Sequence, residues 1–214
     1  MALGSTRPFA TSGPLVLIAG GRHALIVAEA AQMSNLELGG YLDDNPESGI
    51  RVIGSPVSWL GPLREYDRIG EAACHIGLGD LPIRREVIDG LDESGHGVLT
   101  VVHPSAFVSP SAGLGAGVFV GAQAVVNSRA VVGDHSIVNT GAIVEHDCTI
   151  GENTHIAPGS VMGGGVTVGH DTLIGLGAKL LPHVKVGDGC TVAAGAVVVH
   201  DVPDGKTVRG VPAR

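Results

Sequence analysis

The feature that most constrains this chain is a six-residue repeat that runs through residues 103–198 without losing register. The stretch contains 16 hexads; in each, the sixth residue is aliphatic or methionine and the fourth is Ala, Ser, Thr, Val or Cys. Residues two places apart in a strand point to the same side, so the fourth and sixth residues share an interior. Glycine opens eight hexads, where it permits a sharp turn. Such a pattern is the signature of a solenoid.

One hexad provides one short strand and one corner, so three hexads, or 18 residues, close one triangular coil. Successive coils stack as parallel strands and together build a core that no single hexad could bury. A β-sandwich of short strands is the alternative architecture, but it has no reason to keep a strict six-residue register. The sequence therefore predicts a parallel β-helix, a β-solenoid, over residues 101–214.

Residues 14–100 lack this period and alternate between strand-like and helix-like segments. Apolar runs bounded by turn residues predict strands, and apolar residues at helical spacing predict helices. Their alternation predicts a small α/β domain with a doubly wound parallel sheet. The leading residues have neither a period nor a core and are expected to be disordered. The predicted segments are a leader at 1–13, strands at 14–19, 36–44, 50–53 and 73–80, helices at 23–33 and 82–91, and a connection at 98–102.

Composition and charge exclude several classes of function. The net charge is −8, with 21 acidic against 13 basic residues and 3% aromatic residues, which argues against nucleic acid as a partner. No apolar run has membrane-spanning length and no signal peptide is recognisable, so we expect a cytoplasmic protein without membrane insertion. Cys74, Cys148 and Cys190 are expected to be reduced core residues, the last two at the small interior position of their hexads.

Glycine and polar residues follow the predicted strands directly. Ligands of doubly wound sheets bind outside the carboxyl ends of strands, where all these turns lie. GxGxxG is absent and the sheet ends before a second mononucleotide half could form, so a mononucleotide or nucleotide-sugar fits better than NAD. Ordinary turns with solvated aspartates remain the alternative. The turns contain Gly20, Gly21, Arg22 and His23 after the first strand, Asp43 and Asp44 after the second, and Gly79 and Asp80 after a later one.

Within the repeat, His146 lies between Glu145 and Asp147. A carboxylate beside an imidazole can hold its tautomer and raise its basicity, as a general base requires, although such pairs also occur on solvated surfaces. His155 lies nine residues further on, on the next face of the same coil. The remaining repeat histidines occupy corner or outward positions and are expected at the surface: His103, His135, His170, His183 and His200.

Metal binding is the rival explanation for these histidines. The gamma-class carbonic anhydrases, which are β-helix proteins, hold zinc between subunits with three histidines, two of them five residues apart. No two histidines of this chain have that spacing, so we expect no metal site.

A glycine-turn domain precedes two motifs, NTGAIVEHDCTIGENTHIAPGSVMGGGVTVG and VRGVPAR. In this order they resemble the bacterial sugar O- and N-acetyltransferases of the sialic-acid and bacillosamine branch. These are hexapeptide-repeat acyltransferases, and the resemblance extends over residues 14–214. It implies a Rossmann-like domain at 14–100, a left-handed parallel β-helix at 101–214 and acetyl-CoA as co-substrate. It also implies a homotrimer with active sites between neighbouring prisms.

The resemblance also assigns roles to residues. His146 matches the general base, Asp147 matches the acidic residue that raises the basicity of this base, and His155 matches the residue that contacts acetyl-CoA. Arg22 stands where the family usually has glycine, and Leu81 follows Asp80 where a polar residue is expected. Gly164, Leu176 and Ala194 fall along the thioester and pantetheine arm, and the implied substrate-binding set is Gly21, Arg22, His23, Asp43, Asp44, Asp80 and Asn139.

We therefore predict N-acetylation of the amine on a nucleotide-linked 4-amino-4-deoxy sugar. His146 would remove the proton, and backbone N–H groups of residues 163–165 would hold the oxyanion. No Ser or Cys lies next to His146 as an activated nucleophile, so transfer is expected to be direct. O-acetylation of a sialic acid or another sugar hydroxyl, and a non-catalytic β-helix scaffold, remain the alternatives.

Overall fold

A computed structural model describes residues 13–52 and 55–214. The small sheet comes first and the solenoid second, as the sequence predicts. Apart from Gly13, the leader expected at residues 1–13 lies outside the described residues. No helix in the described part of the chain is long and apolar enough to cross a membrane. The cytoplasmic location and the domain limits stay predictions.

The small domain contains a four-stranded parallel sheet. Its strand order is β5 (Trp59–Gly61), β2 (Leu38–Leu42), β1 (Leu15–Ile18) and β6 (Ala73–Ile76). The predicted third strand forms as β3 (Arg51–Val52), but it pairs in antiparallel fashion with β4 (Ser55–Pro56) and does not join the sheet. The edge strand β5 was not predicted, because three residues carry no readable period. The elements are β1 (Leu15–Ile18), α1 (Arg22–Met33), β2 (Leu38–Leu42), β3 (Arg51–Val52), β4 (Ser55–Pro56), β5 (Trp59–Gly61), a 3-10 helix (Tyr66–Ile69), β6 (Ala73–Ile76) and α2 (Leu81–Ser94).

Local chemistry explains the limits of α2. Asp80 caps its start, accepting a hydrogen bond from the Ile83 N–H at 3.2 Å, and Pro82 occupies the first turn. Gly95 ends the helix with a φ of 71°, a left-handed conformation that glycine adopts at little cost. Because Asp80 begins this helix, the end of β6 and the start of α2 form one short, well-defined turn.

The solenoid is a left-handed parallel β-helix made of strands β7 to β24 in three sheets of seven, six and five strands. Partners along a sheet lie one coil apart, as in the series Val125, Ile143 and Val161. The strands are Val101–Val102, Phe107–Val108, Gly113–Leu114, Phe119–Val120, Val125–Val126, Val131–Val132, Ile137–Val138, Ile143–Val144, Thr149–Ile150, His155–Ile156, Val161–Met162, Thr167–Val168, Leu173–Ile174, Lys179–Leu180, Lys185–Val186, Thr191–Val192, Val197–Val198 and Thr207–Val208.

The interior of the solenoid contains the fourth and sixth residues of the hexads, as predicted. Val144, Cys148 and Ile150 are at most 1% exposed, and all three cysteines are free and buried. Close packing of these positions along successive coils gives one continuous apolar core.

The three outer faces of the prism differ in what covers them. The first face, which begins with β7, is covered by the small domain, so that its outward residues Phe119 and Ile137 are buried. The second face, which begins with β8, carries a row of outward apolar side chains that nothing in residues 13–52 and 55–214 covers. The third face, which begins with β9, presents Thr149, Thr167 and Lys185 to solvent. The uncovered row on the second face consists of Phe107, Val125, Ile143 and Val161.

Helix α2 lies over one corner of the solenoid. Arg84 donates to Asn153 Oδ1 at 3.1 Å and to the His135 carbonyl, and Arg85 pairs with Glu152 at 2.6 Å. The expectation that His135 is a surface residue is therefore wrong: it is only 5% exposed. The repeat places it at a corner correctly, but it does not reveal that a helix from another domain covers that corner.

Candidate active site

His146 and Asp147 lie at the corner between β14 and β15. His146 Nδ1 is 2.7 Å from Asp147 Oδ2, as the sequence predicts for a paired imidazole and carboxylate. Arg129, one coil earlier, binds both carboxylate oxygens of Asp147 at 2.7 and 2.8 Å. Its guanidinium, together with His146, lowers the pKa of Asp147 to about 2, so the carboxylate is ionised. The Nδ1–H of a neutral His146 therefore points at a permanent anion, and Nε2 is left as an acceptor.

Sequence reasoning missed Arg129, although a signal was present. Arg129 precedes Asp147 by 18 residues, which is one coil of the predicted solenoid. Glu145, the other acidic neighbour of His146, contacts the backbone and not the ring. It accepts the His146 N–H at 3.0 Å and the Asn127 Nδ2–H at 3.2 Å, so it orders the turn that presents the imidazole.

Gly164 lies directly beside the His146 ring. A Cβ atom at Gly164 would stand 2.6 Å from Cε1 and Nε2 of His146, so only glycine leaves room for the ring. The N–H groups of Gly163 and Gly165 donate to the carbonyls of Leu180 and His146, both at 2.9 Å. Within the described structure, the Gly164 N–H has no such acceptor. Of the three predicted oxyanion donors, Gly164 is therefore the available one.

His155 occupies the first face of the solenoid, in contact with the small domain. Its Nε2 lies 3.1 Å from Asn139 Nδ2, and its Nδ1 lies 3.3 Å from the Gly79 carbonyl oxygen. Burial lowers the pKa of His155 to about 4, the Gly79 contact opposes this shift, and Arg84 adds to it. The ring is therefore neutral at physiological pH.

Leu176 and Ala194 lie on the corner that also carries Asn139. Their turns stack one coil apart, since the Gly195 N–H donates to the Leu176 carbonyl at 2.8 Å. Leu176 is 60% exposed, which is unusual for a large apolar side chain in this protein. The corner thus offers a small apolar strip beside His155 and Asn139.

Within one chain, the predicted site residues of the solenoid form two groups that do not meet. His146, Asp147 and Gly164 lie at the corner after β14. His155 and Asn139 lie at the opposite edge of the second face, where the first face ends and the second begins. The uncovered apolar row of the second face lies between the two groups.

The carboxyl ends of β1 and β2 come together, as predicted for the ligand edge of the sheet. Asp43 accepts the Gly20 N–H at 2.7 Å through one oxygen and the Asn45 N–H at 2.8 Å through the other. Asp44 accepts the Leu63 N–H at 3.0 Å. Both oxygens of Asp43 thus shape the turns around the edge, and Asp44 keeps one oxygen outside these contacts.

A cavity of about 290 Å³ opens at this edge. Gly21 is the N-cap residue of α1 and provides no side-chain cap, so the first N–H groups of the helix have no side-chain cap partner. The buried Oγ of Ser48 has no hydrogen-bond partner within the described structure. Sequence reasoning missed this contribution from the loop before β3, because its residues follow no period. The cavity is lined by Gly20, Gly21, Arg22, Leu25, Ser48, Gly49 and Ile50.

His23 and Asp80, also predicted at this edge, have other neighbours. The His23 ring meets Phe119 edge-on at 5.5 Å between centroids and lies 6.3 Å from the His155 ring. Burial lowers the pKa of His23 to about 3, and its Nε2 has no partner among the described residues. Asp80 caps α2 as described above. His23 therefore belongs to the contact between the domains and not to the cavity lining.

No group of three or more His, Cys, Asp or Glu side chains in residues 13–52 and 55–214 is arranged to hold a metal ion.

Family models match most of the chain. The PglD N-terminal domain matches residues 14–91. The bacterial transferase hexapeptide (six repeats) matches residues 129–164 and again residues 165–200. The first model lies within the small domain, and the second lies within the solenoid.

Solved acetyltransferases resemble the chain over nearly its full length. PerB from Caulobacter crescentus, in complex with CoA and GDP-perosamine, is 36% identical with a TM-score of 0.85, over 95% of this chain and 97% of that one. A variant of perosamine N-acetyltransferase from the same organism is 35% identical with a TM-score of 0.84, over 95% and 96%. The acetyltransferase domain of PglB from Neisseria gonorrhoeae, in complex with acetyl coenzyme A, is 37% identical with a TM-score of 0.86, over 94% and 99%.

Proposed function

The chain belongs to the hexapeptide-repeat sugar acetyltransferases, and we propose that it transfers the acetyl group of acetyl-CoA to the amine of a nucleotide-linked 4-amino-4-deoxy sugar. The observation that carries this proposal is the His146–Asp147 pair beside the available Gly164 N–H. The relative in complex with CoA and GDP-perosamine and the relative in complex with acetyl coenzyme A support the same substrates.

In the proposed reaction the sugar amine attacks the thioester carbonyl while His146 Nε2 removes its proton. Asp147, oriented by its two contacts with Arg129, stabilises the imidazolium that forms. The oxyanion of the tetrahedral intermediate accepts the Gly164 N–H. Collapse of the intermediate breaks the C–S bond, and the coenzyme A thiolate leaves and takes the proton from His146. The products are the acetamido sugar and coenzyme A.

Direct transfer is favoured because the nearest thiol is unsuited to act as a nucleophile. Cys148 is completely buried, and its Sγ–H donates to the Gly163 carbonyl at 3.3 Å. Burial also raises the pKa of this thiol, which keeps it in the unreactive protonated form.

We propose that the cavity beside Gly21 binds the nucleotide diphosphate. Uncapped N–H groups at a helix start, together with the helix dipole, attract phosphate oxygens. Arg22 is exposed on the cavity lining, where a guanidinium can pair with the same oxygens. This residue replaces the usual family glycine and would strengthen the contact.

We further propose that the active site lies between chains of a homotrimer. The uncovered apolar row on the second face is the kind of surface that a partner subunit buries. The His146 group and the His155 group lie at opposite edges of this face. If three prisms pack side by side around a three-fold axis, the His146 group of one chain lies next to the His155 group of its neighbour.

The function is tested by thiol release from acetyl-CoA with a panel of UDP- and GDP-linked 4-amino sugars and their 4-hydroxy counterparts. We expect release with at least one amino sugar and none with its hydroxyl counterpart. Release with the hydroxyl compounds alone would indicate an O-acetyltransferase instead. Absence of acetyl-CoA binding in calorimetry would leave a scaffold as the function.

The shared site is tested by mixing two impaired chains, His146→Ala and His155→Ala, and assaying at low acetyl-CoA after joint refolding. Each active site between two different chains can take both intact histidines, so random mixing should restore roughly a quarter of wild-type activity. A site contained in one chain would give no recovery. Light scattering should report a particle of three times 21.6 kDa.

A further inference from the structure

Arg84 is a buried cation whose partners are all neutral. The residue is 1% exposed and donates to the carbonyls of Ile76 at 3.2 Å and Leu78 at 2.7 Å, to the His135 carbonyl and to Asn153 Oδ1. Burial lowers its pKa to about 10, so it stays charged at neutral pH. Removing a charge from water is costly unless it is fully hydrogen-bonded, so this arrangement must be specified by the whole of its surroundings.

The contacts of Arg84 hold the turn between β6 and α2. Ile76 is the last residue of β6 and Leu78 lies in the turn that follows, and the Arg84 N–H donates to the carbonyl of the N-cap residue Asp80 at 2.9 Å. Gly79, between these anchored residues, therefore has little freedom. Its carbonyl oxygen is the atom that contacts His155 Nδ1 at 3.3 Å.

The protonation pattern of His155 follows from its two contacts. Asn139 Oδ1 accepts the Thr140 N–H at 2.8 Å, which fixes the orientation of this amide and leaves its Nδ2–H group to face His155 Nε2. A donor on Asn139 favours an unprotonated Nε2, and an acceptor on Gly79 favours a protonated Nδ1, so the two contacts select the tautomer together. The single proton of the neutral ring then lies on Nδ1 and is donated to the Gly79 carbonyl. The opposite tautomer would set donor against donor at Asn139 and acceptor against acceptor at Gly79.

We propose that Arg84 is a positioning residue for the acetyl-CoA side of the site: it anchors the turn that carries the Gly79 carbonyl, and that carbonyl locks His155 in the Nδ1–H tautomer. Nε2 of His155 is thereby kept as an acceptor and cannot donate a hydrogen bond. The end of β6, at the ligand edge of the sheet, thus sets the state of an imidazole on the solenoid. The inference rests on the proposed function only in assigning acetyl-CoA to His155.

Imidazole nitrogen NMR on the full-length protein, labelled at histidine nitrogen, tests this directly. The His155 signals are identified by their loss in His155→Gln. We expect the wild type to show a protonated Nδ1 and a bare Nε2, and Arg84→Met to show a mixture of tautomers. The KM for acetyl-CoA should rise roughly 3- to 10-fold in Arg84→Met, the effect of one hydrogen bond, with a smaller change in kcat.

Arg85→Met is the matched control. Arg85 is the next residue of α2 and also ties the small domain to the solenoid, through Glu152 and Asp171 at 2.6 and 3.0 Å. It makes no contact with the turn that holds Gly79 within the described structure. Arg85→Met should therefore weaken the contact between domains while the His155 tautomer stays as in the wild type.

Arg84→Lys covers the case in which Arg84→Met does not fold, because it keeps the charge but loses the forked geometry; we expect it to give a partial tautomer mixture. A folded Arg84→Met or Arg84→Lys with the wild-type tautomer would overturn the inference, and so would a wild type with a protonated Nε2. If the tautomer responds as expected but no sugar is acetylated, the role of Arg84 stands and the proposed function fails.

Discussion

The solenoid and the contact between the domains bury polar groups in opposite ways. Inside the solenoid, the hydroxyls of Ser136, Thr154 and Thr172 donate to the carbonyls of Gly151, Gly169 and Gly187 at 2.7 to 2.8 Å. Each bond repeats the one in the coil before, so the repeat satisfies its own polar groups.

The contact between the domains has no such repetition. Arg84, His23, His75 and His155 are brought together from separate elements. The buried side-chain atoms that lack a partner among the described residues belong to the small domain or to the corner it covers: His23 Nε2, Ser48 Oγ and His135 Nδ1. The unpaired buried atoms among the described residues therefore lie in the small domain or in its contact with the solenoid, and the repeat itself pairs its buried hydroxyls.

The largest effect is expected from His146→Ala. Loss of a positioned general base should lower kcat by about 10²–10⁴-fold. The side chain is 56% exposed, so the melting of the solenoid should stay unchanged. Steady-state assays and thermal unfolding measure the two quantities.

His170→Ala is the control for His146→Ala, since His170 also precedes an aspartate at a corner. Both of its nitrogens contact carboxylates, Asp171 at 3.1 Å and Asp188 at 3.0 Å, which leaves no free acceptor for a substrate proton. Wild-type turnover in His146→Ala at saturating substrates would exclude this histidine as the base.

Gly164→Ala should come next, with a loss in kcat of about 10²-fold, because displacing a reacting group by about 1 Å has that order of effect. The new Cβ would stand 2.6 Å from the His146 ring and force it away. Gly113→Ala is the control, since the nearest atom to its new Cβ lies 3.9 Å away. Equal activity of both variants would contradict the assigned place of His146.

Acidification should weaken the contact between domains before it affects the solenoid. Burial lowers the pKa of His75 to about 4 and of His23 to about 3, whereas in the unfolded chain these rings take up protons near 6.5. Stability is therefore complete above pH 6.5 and falls as the pH drops towards 4; His75 alone should cost about 2 kcal/mol at pH 5.

Urea unfolding at pH 7 and pH 5 measures this loss. The fluorescence of Trp59, the only tryptophan, reports on the small domain, and circular dichroism reports mainly on the solenoid. His75→Gln should reduce the difference between the two pH values, and His200→Gln, at an exposed position, should not. Equal stability at pH 7 and pH 5 would show that the buried rings are not held neutral.

Arg129→Met should have the smallest effect, a loss of roughly 3- to 10-fold in kcat, the size of the net contribution of one ordinary hydrogen bond. Asp147 stays ionised at neutral pH without Arg129, but it loses the two contacts that orient it towards His146. The pKa of Asp147 should rise from about 2 towards its ordinary value, which a pH profile of kcat/KM at low pH detects. Arg64→Met, at an exposed ion pair of the small domain, serves as the control.

The sequence by itself determined the solenoid, because its strand pairings recur at a set separation along the chain. The hexads predict which residues face inward, place His146 and Asp147 together at one corner, and bring residues 18 apart into contact. Arg129 could have been found by the same count. The ligand edge of the small sheet was also predictable, since Gly20 and Asp43 follow apolar strands that lie side by side.

Only the tertiary structure decided how the small domain sits on the solenoid. Gly79 reaches His155 across 76 residues, and Arg84 reaches His135 across 51, and neither separation belongs to any period. These contacts buried His135 against expectation and turned His23 towards His155. The physical reason is that docking depends on the shape and the hydrogen-bonding groups of two folded surfaces. In a repeat, by contrast, the repeat length alone determines which residues are neighbours.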